Sequence, residues 1–208
     1  MVSIVPANKV TLADLETRYG LAITARSDFF TEWSASLPDL SELEQLLLDR
    51  VKHNFTGLLK TSPLLENSVK MVVLSSLFDL AGFYQEPFRI ESEPSVDILS
   101  EDEGEIIRGK IDVLVLQGQL WVLVLESKRS DFAVNMAVSQ TLAYMLSNPE
   151  TNHPTFGLIS NGNDFLFLKL VKTPQPQYAN SRLFSLLNPG NELYTVLQVL
   201  KNLGQTVR

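Results

Sequence analysis

Two short apolar runs on either side of a polar turn constrain this chain more than any other feature. Val113-Leu114-Val115-Leu116 and Trp121-Val122-Leu123-Val124-Leu125 flank Gln117-Gly118-Gln119. Runs of this length, bounded by a glycine turn, read as the two strands of a hairpin, over residues 108–116 and 120–128. They lack polar alternation, so both faces are buried and the hairpin lies in mid-sheet. The polar residues that bracket the runs then stand at the rim of a dry sheet. These are Asp112 before the first run and Glu126-Ser127-Lys128 after the second.

Side chains alternate along a strand, so Glu126 and Lys128 share one face and Ser127 takes the other. A three-residue link pairs Leu116 with Leu120. Asp112 then falls opposite Val124 and diagonal to Glu126, on one face at ~7–8 Å between backbones. A two-residue link would turn Asp112 to the wrong face. Two acids and a lysine at such a rim cost free energy unless they are paired or bind metal. Oxygen-only ligands select Mg2+ or Mn2+. Such an ion polarises a phosphate oxygen and acidifies a bound water, while Lys128 orients that water or offsets charge on the phosphorane.

Upstream, Thr11–Tyr19 reads as a short helix capped by Thr11 and stopped at Gly20. A clear helix follows Pro38-Asp39. Its capping box is Asp39 with Glu42 or Ser41 with Glu44, and its stripe is Leu40, Leu43, Leu46, Leu47, Val51 and Phe55. Ser62-Pro63 opens the next helix, which runs to about Ala81, is apolar almost all round, and carries Glu66 near its start. A strand over 83–90, an acidic loop over 91–105, a helix over 131–146, a second hairpin over 156–171 and a final helix over 191–203 complete the order. The expected fold is α/β (α+β), a mixed sheet flanked by helices. Residues 1–60 form an N-terminal helical extension to a domain over 61–208, together one unit.

Seven acids between Glu91 and Glu105, with no Lys or Arg among them, equal the whole net charge of −7. A solvated loop is the ordinary reading of such a run. The acidic balance also lacks the basic footprint of a tight nucleic-acid binder. With no cysteine and only His53 and His153, thiolate metal sites, disulfides and a three-histidine centre are excluded within the chain. No apolar run approaches the ~20 residues of a membrane span. No signal-peptide pattern opens the sequence, so a cytoplasmic location is expected.

Gly109-Lys110-Ile111-Asp112, thirteen residues, then Glu126-Ser127-Lys128 resembles the PD-(D/E)xK nuclease motif, with Ile111 in place of the proline. The element order resembles the αβββαβ core of restriction endonuclease-like folds. Gln140-Thr141-Leu142-Ala143-Tyr144 is similar to the QxxxY element of RecB-type members. The likeness points to the N-terminal nuclease domain of type I restriction R subunits and to small stand-alone relatives, and covers roughly residues 63–171.

The resemblance implies a Mg2+- or Mn2+-dependent deoxyribonuclease. Asp112, Glu126, the Ser127 backbone carbonyl and Glu66 would hold the metal, and Lys128 would be the catalytic lysine. Gln140 and Tyr144 would face the site and position substrate or the lysine. It also implies DNA as partner, and a homodimer or partner subunit for cutting both strands. No GxxxxGK[ST] phosphate loop occurs in the chain, so it encodes no translocation motor. The alternatives are a catalytically inactive nucleic-acid- or partner-binding module of the same fold, or an unrelated α+β domain in which Glu126–Lys128 is a structural ion pair.

Overall fold

A computed structural model describes residues 3–99 and 105–206. In chain order the elements are β1 (Ser3–Pro6), α1 (Leu12–Tyr19), β2 (Ala22–Ile23), α2 (Glu42–Leu59), α3 (Glu66–Val69), a π-helical turn (Lys70–Leu74), α4 (Ser75–Leu80), β3 (Phe88–Ser92), β4 (Ser95–Leu99), β5 (Glu105–Lys110), β6 (Val113–Gln117), β7 (Leu120–Ser127), α5 (Val138–Leu146), β8 (Thr155–Ser160), β9 (Asp164–Val171), β10 (Gln177–Asn180), β11 (Phe184–Ser185) and α6 (Leu193–Thr206).

The main sheet has the order β2-β10-β9-β8-β7-β6-β3, with β11 on β9. It is mixed: β7 runs parallel to β8, and β6 is antiparallel to both β3 and β7. Helix, three antiparallel strands, helix and a parallel strand give the αβββαβ order expected from sequence. The added feature is β4–β5, inserted between β3 and β6. With β1 it forms a separate three-stranded sheet.

Local sequence chemistry sets several of these boundaries. Thr11 and Ser41 both close capping boxes, with Asp14 and Glu44, so two exposed backbone amides at each helix start find partners. Gly20 and Gly82 stop helices at φ 63° and 80°, a backbone region costly for any residue with a Cβ. The π turn joins α3 to α4 as one helical rod over 66–80, in which the Ser75 amide donates to the Lys70 carbonyl.

Helices cover the main sheet on both faces. One core layer holds Phe55, Val69, Val73, Leu77 and Leu200 against Val115, Leu123 and Leu125. The other holds Leu142, Ala143, Tyr144 and Ile111 against Leu114, Leu116 and Val124. Trp33 packs on the first layer, edge-to-face with Phe184 at 6.2 Å.

Several expectations are corrected. The strand expected over 108–116 is two strands in two sheets. The chain breaks at Ile111-Asp112, where the Ile111 amide donates to the Pro94 carbonyl and the Glu93 amide to the Asp112 carbonyl. The first strand starts at Phe88, because 81–87 is spent on turns. The helix placed from Ser62 starts at Glu66, with Leu65 as an N-cap that makes no side-chain bond. It is not apolar all round in its setting, since Met71 is 76% exposed. In α2 the buried residues are Leu48, Val51 and Phe55, while Leu43 and Leu46 are 64% and 67% exposed.

The acidic segment is not a loop in its described part. Its residues flank or lie in β3, β4 and β5, and Glu91, Glu93 and Asp97 pair with Arg89, Lys110 and Arg108. Glu101, Asp102 and Glu103 lie outside the described residues. The segment 1–60 contributes strands as well as helices: β1 pairs with β5, and β2 with β10.

Candidate active site

The central hairpin turns on two residues, Gly118-Gln119, not three. Gln117 faces Leu120 and Leu116 faces Trp121. Taken alone, this would send Asp112 to the far face. A β-bulge corrects it: beyond Leu116 the register shifts, so that Val115 faces Leu123 and Val113 faces Leu125. The extra residue is Val122, which points into the same core layer as its neighbour Leu123. Continuing that register puts Asp112 directly across from Glu126 rather than diagonal to it.

These residues meet where β6 begins and β7 ends, between the two layers of helices. Asp112 Oδ2 accepts from the Ser127 amide at 2.7 Å. Its Oδ1 accepts from Lys70 Nζ at 2.9 Å, and the same ammonium lies 2.9 Å from Glu66 Oε1. Lys128 Nζ bonds Glu126 Oε1 and reaches Gln140 Oε1 at 3.3 Å. Gln140 Nε2 donates to the Tyr144 hydroxyl at 2.8 Å. The start of the helical rod is tied to the end of β7 by Leu64 N–H to Ser130 Oγ (2.7 Å) and Ser130 N–H to the Leu64 carbonyl (3.0 Å). The six residues singled out from sequence therefore fall into two adjoining networks, Glu66 with Asp112 through Lys70, and Glu126, Lys128, Gln140 and Tyr144, which meet at the Ser127 backbone.

The electrostatics follow from burial. Glu126 is 3% exposed, and desolvation, then the charge of Asp112, pushes its carboxyl up to about 7 against the pull of Lys128. Desolvation also raises Asp112, opposed by the bonds from Lys70 and the Ser127 amide. Burial is the main cause that lifts the Tyr144 phenol to about 12, so it stays protonated. Glu126 Oε2 is buried with no hydrogen-bond partner. An orphaned carboxylate oxygen beside a second carboxylate is a donor set suited to a hard divalent cation.

That fit has a condition. Among the described residues no three His, Cys, Asp or Glu side chains already stand together as a metal-holding group. Lys70 holds Glu66 and Asp112 by their oxygens instead.

No protein-family model matches the chain, and no curated protein matches it. Among solved structures, it is similar to a fragment assigned as the HsdR subunit of a type I restriction enzyme from Vibrio vulnificus YJ016, at 16% identity and a TM-score of 0.41. The match covers 66% of this chain and 26% of that one, so the chain spans about a quarter of its length. No helix among the described residues is long and apolar enough to cross a membrane.

Two contributors escaped the sequence reading. Lys70 carried a signal, since Glu66 and Lys70 are an i,i+4 pair of the orientation that attracts on a helix. Gly109 carried none beyond standing in the motif. A Cβ on it would lie 2.6 Å from Tyr144 Cε1, 2.8 Å from the Tyr144 hydroxyl and 2.8 Å from Ala7 Cβ. Gly109→Ala is therefore expected to push Tyr144 off Gln140 and to destabilise the fold by about 1–3 kcal/mol. Thermal melts beside Tyr144→Phe check this: a Gly109→Ala protein as stable as wild type would mean that Tyr144 has room to give.

The residues flanking the motif do not offer free positive charge. Arg108 forks onto Asp97, and Arg129 onto Asp131. Lys110 stands 3.9 Å from Glu93. His53 is exposed on α2, and His153 lies 3.9 Å from Glu150.

Proposed function

We propose that this chain is a metal-dependent nuclease that hydrolyses DNA phosphodiester bonds, in a restriction, defence or DNA-processing setting. The observation that carries this is the arrangement at the hairpin's end. Asp112 and Glu126 converge across two strands, Lys128 is fixed beside them, and one buried carboxylate oxygen is left without a partner.

Asp112, Glu126, the Ser127 carbonyl and Glu66 would hold Mg2+ or Mn2+, whose chemistry is to polarise a phosphate oxygen and acidify a bound water. The chain's own residues do the rest. Lys128, held between Glu126 and Gln140, presents an ammonium to the face on which a phosphate would lie, where it orients a nucleophilic water or neutralises developing negative charge. Gln140 holds the lysine opposite Glu126, Tyr144 in turn holds Gln140, and the tyrosine remains protonated at neutral pH. DNA is the proposed substrate, with a second copy or a partner subunit to complete a double-strand cut.

The test is cleavage of plasmid and single-stranded DNA in Mg2+ or Mn2+, beside EDTA and beside Asp112→Asn. Cleavage that needs the metal and disappears in Asp112→Asn is expected. Equal nicking by wild type and variant would mark a contaminant and end the proposal.

A second reading has its own support. Lys70 neutralises the acids, and the net charge of −7 disfavours phosphate binding. An inactive module of this fold would bind its partner and cleave nothing in either metal.

A further inference from the structure

The nuclease reading leaves unexplained why a lysine stands between two of the acids. Lys70 is the first residue of the π turn, on the rod that also carries Glu66 one turn earlier. Its ammonium lies 2.9 Å from both Glu66 Oε1 and Asp112 Oδ1, so it occupies the position between a helix carboxylate and a strand carboxylate. Charge-assisted bonds of this kind are roughly twice as strong as neutral ones. A π turn inside an α-helix is rare and recurs at functional sites, because it re-aims side chains at a backbone cost.

The ammonium also has somewhere to go. Lys70 lines a cleft of about 480 Å3 between the rod and the edge of the sheet, walled by Leu74, Phe78, Tyr84, Ile90 and Val113. The lysine thus borders the acid cluster on one side and open space on the other.

We propose that Lys70 is a built-in counter-cation of the acid set, which a divalent ion must displace into this cleft, so that Lys70 sets the affinity of the site for metal. The inference rests on the nuclease reading, because it takes the acids to be ligands. Two consequences follow. Without a divalent ion, the lysine keeps Glu66 and Asp112 from repelling one another and preserves the site's shape. With one, the cost of breaking two ammonium–carboxylate bonds is subtracted from the binding, so the site fills only at high free cation. Lys70 is accordingly a positioning residue and not a catalytic one.

The experiment measures binding and not turnover. Mn2+ is titrated into wild type, Lys70→Met and Lys70→Arg by calorimetry, with free Mn2+ followed by its paramagnetic resonance, and each protein is melted with and without the ion. Lys70→Met is expected to bind Mn2+ at least tenfold more tightly than wild type and to gain more in melting temperature from it. Lys70→Arg keeps the charge and is expected to stay within about threefold of wild type. A lysine with a merely structural role would give a Lys70→Met protein that melts lower and binds Mn2+ no better. That result, or weaker binding, overturns the inference and leaves the nuclease reading standing. No Mn2+ binding by any of the three folded proteins overturns both.

Discussion

At pH 8, Glu126→Gln is expected to melt higher than the wild-type chain and to have lost metal-dependent cleavage. The two halves have one cause. Glu126 is almost fully buried, next to Asp112, and its carboxyl is pushed up to about 7 from an ordinary value near 4.5. The folded state therefore holds a proton that the unfolded chain has already released over that interval. Stability falls as pH rises from about 4.5 to about 7 and stays at its lower level above. Glutamine copies the protonated shape without ever ionising, so the variant escapes that penalty wherever the wild type bears it. The full separation is worth at most about 3 kcal/mol at pH 8. For a chain of this size, that is a rise of at most about 6–12 °C. The figure is already net of the attraction from Lys128, which acts on the charged form only. Below pH 4.5 the two proteins should melt together.

Cleavage should fall by about a thousandfold or more, because an amide is a poor ligand for a hard cation and leaves no charge for Lys128. Melting curves from pH 4 to 9, beside plasmid cleavage in Mg2+, test both. A Glu126→Gln protein that melts below wild type at pH 8 would show that the carboxylate is stabilised as an anion, against the burial argument.

A site that weakens its own fold is one reason that local sequence reasoning could find it. Acids at the end of an all-apolar strand conflict with their setting, and such conflicts concentrate at functional positions. The hairpin, the cap at Thr11, the capping box at Ser41 and the glycine stop at Gly20 were legible, because each depends on neighbours within a few residues. The shared face of Asp112 and Glu126 was expected by a route that does not hold. The turn has two residues, and the parity it loses is restored by the bulge at Val122. Nothing in Trp121-Val122-Leu123 marks one residue as extra, since all are apolar and all are buried or half-buried.

The break at Ile111-Asp112 was hidden for a similar reason. Ile111 is fully buried and reads as strand, and only its bond to Pro94 and the pairing of β5 with β1, a hundred residues away, show that the sheet changes there. Lys70 needed the third dimension as well. Its i,i+4 relation to Glu66 was local, but its second partner, Asp112, is 42 residues on. The exposed Leu43 and Leu46 show the converse limit, because apolar periodicity names a stripe without naming which side of it packs.

Lys128→Ala is expected to cost stability in proportion to pH, and so to separate the lysine's two duties. Among the described residues its ammonium is the one cation paired with Glu126, and its side chain also approaches the Phe132 ring, with Nζ 5.6 Å from the centroid. Breaking a buried pair by removing one partner typically costs about 3–5 kcal/mol, because the remaining charge is uncompensated. Here Glu126 can escape by taking a proton, since it already titrates near neutrality. The cost at pH 8 is therefore put at about 2 kcal/mol, shrinking toward the packing loss alone by pH 5. With Gln at 126 there is no charge to strand, and the same truncation should cost only that packing loss at every pH. The double-mutant cycle over Glu126→Gln and Lys128→Ala then yields a coupling that is present at pH 8 and gone at pH 5.

Cleavage gives the other half. At pH 8, and at a temperature where the variant is fully folded, Lys128→Ala should be inactive, because the ammonium beside the scissile phosphate is missing. The comparison belongs at pH 8, since at pH 5 Glu126 is protonated in the wild type as well and no longer serves as a ligand. Cleavage by the folded variant at the wild-type rate would mean that the lysine serves the fold alone, and the ExK pair would then be a structural ion pair. Loss of cleavage by folded protein places Lys128 in the chemistry itself.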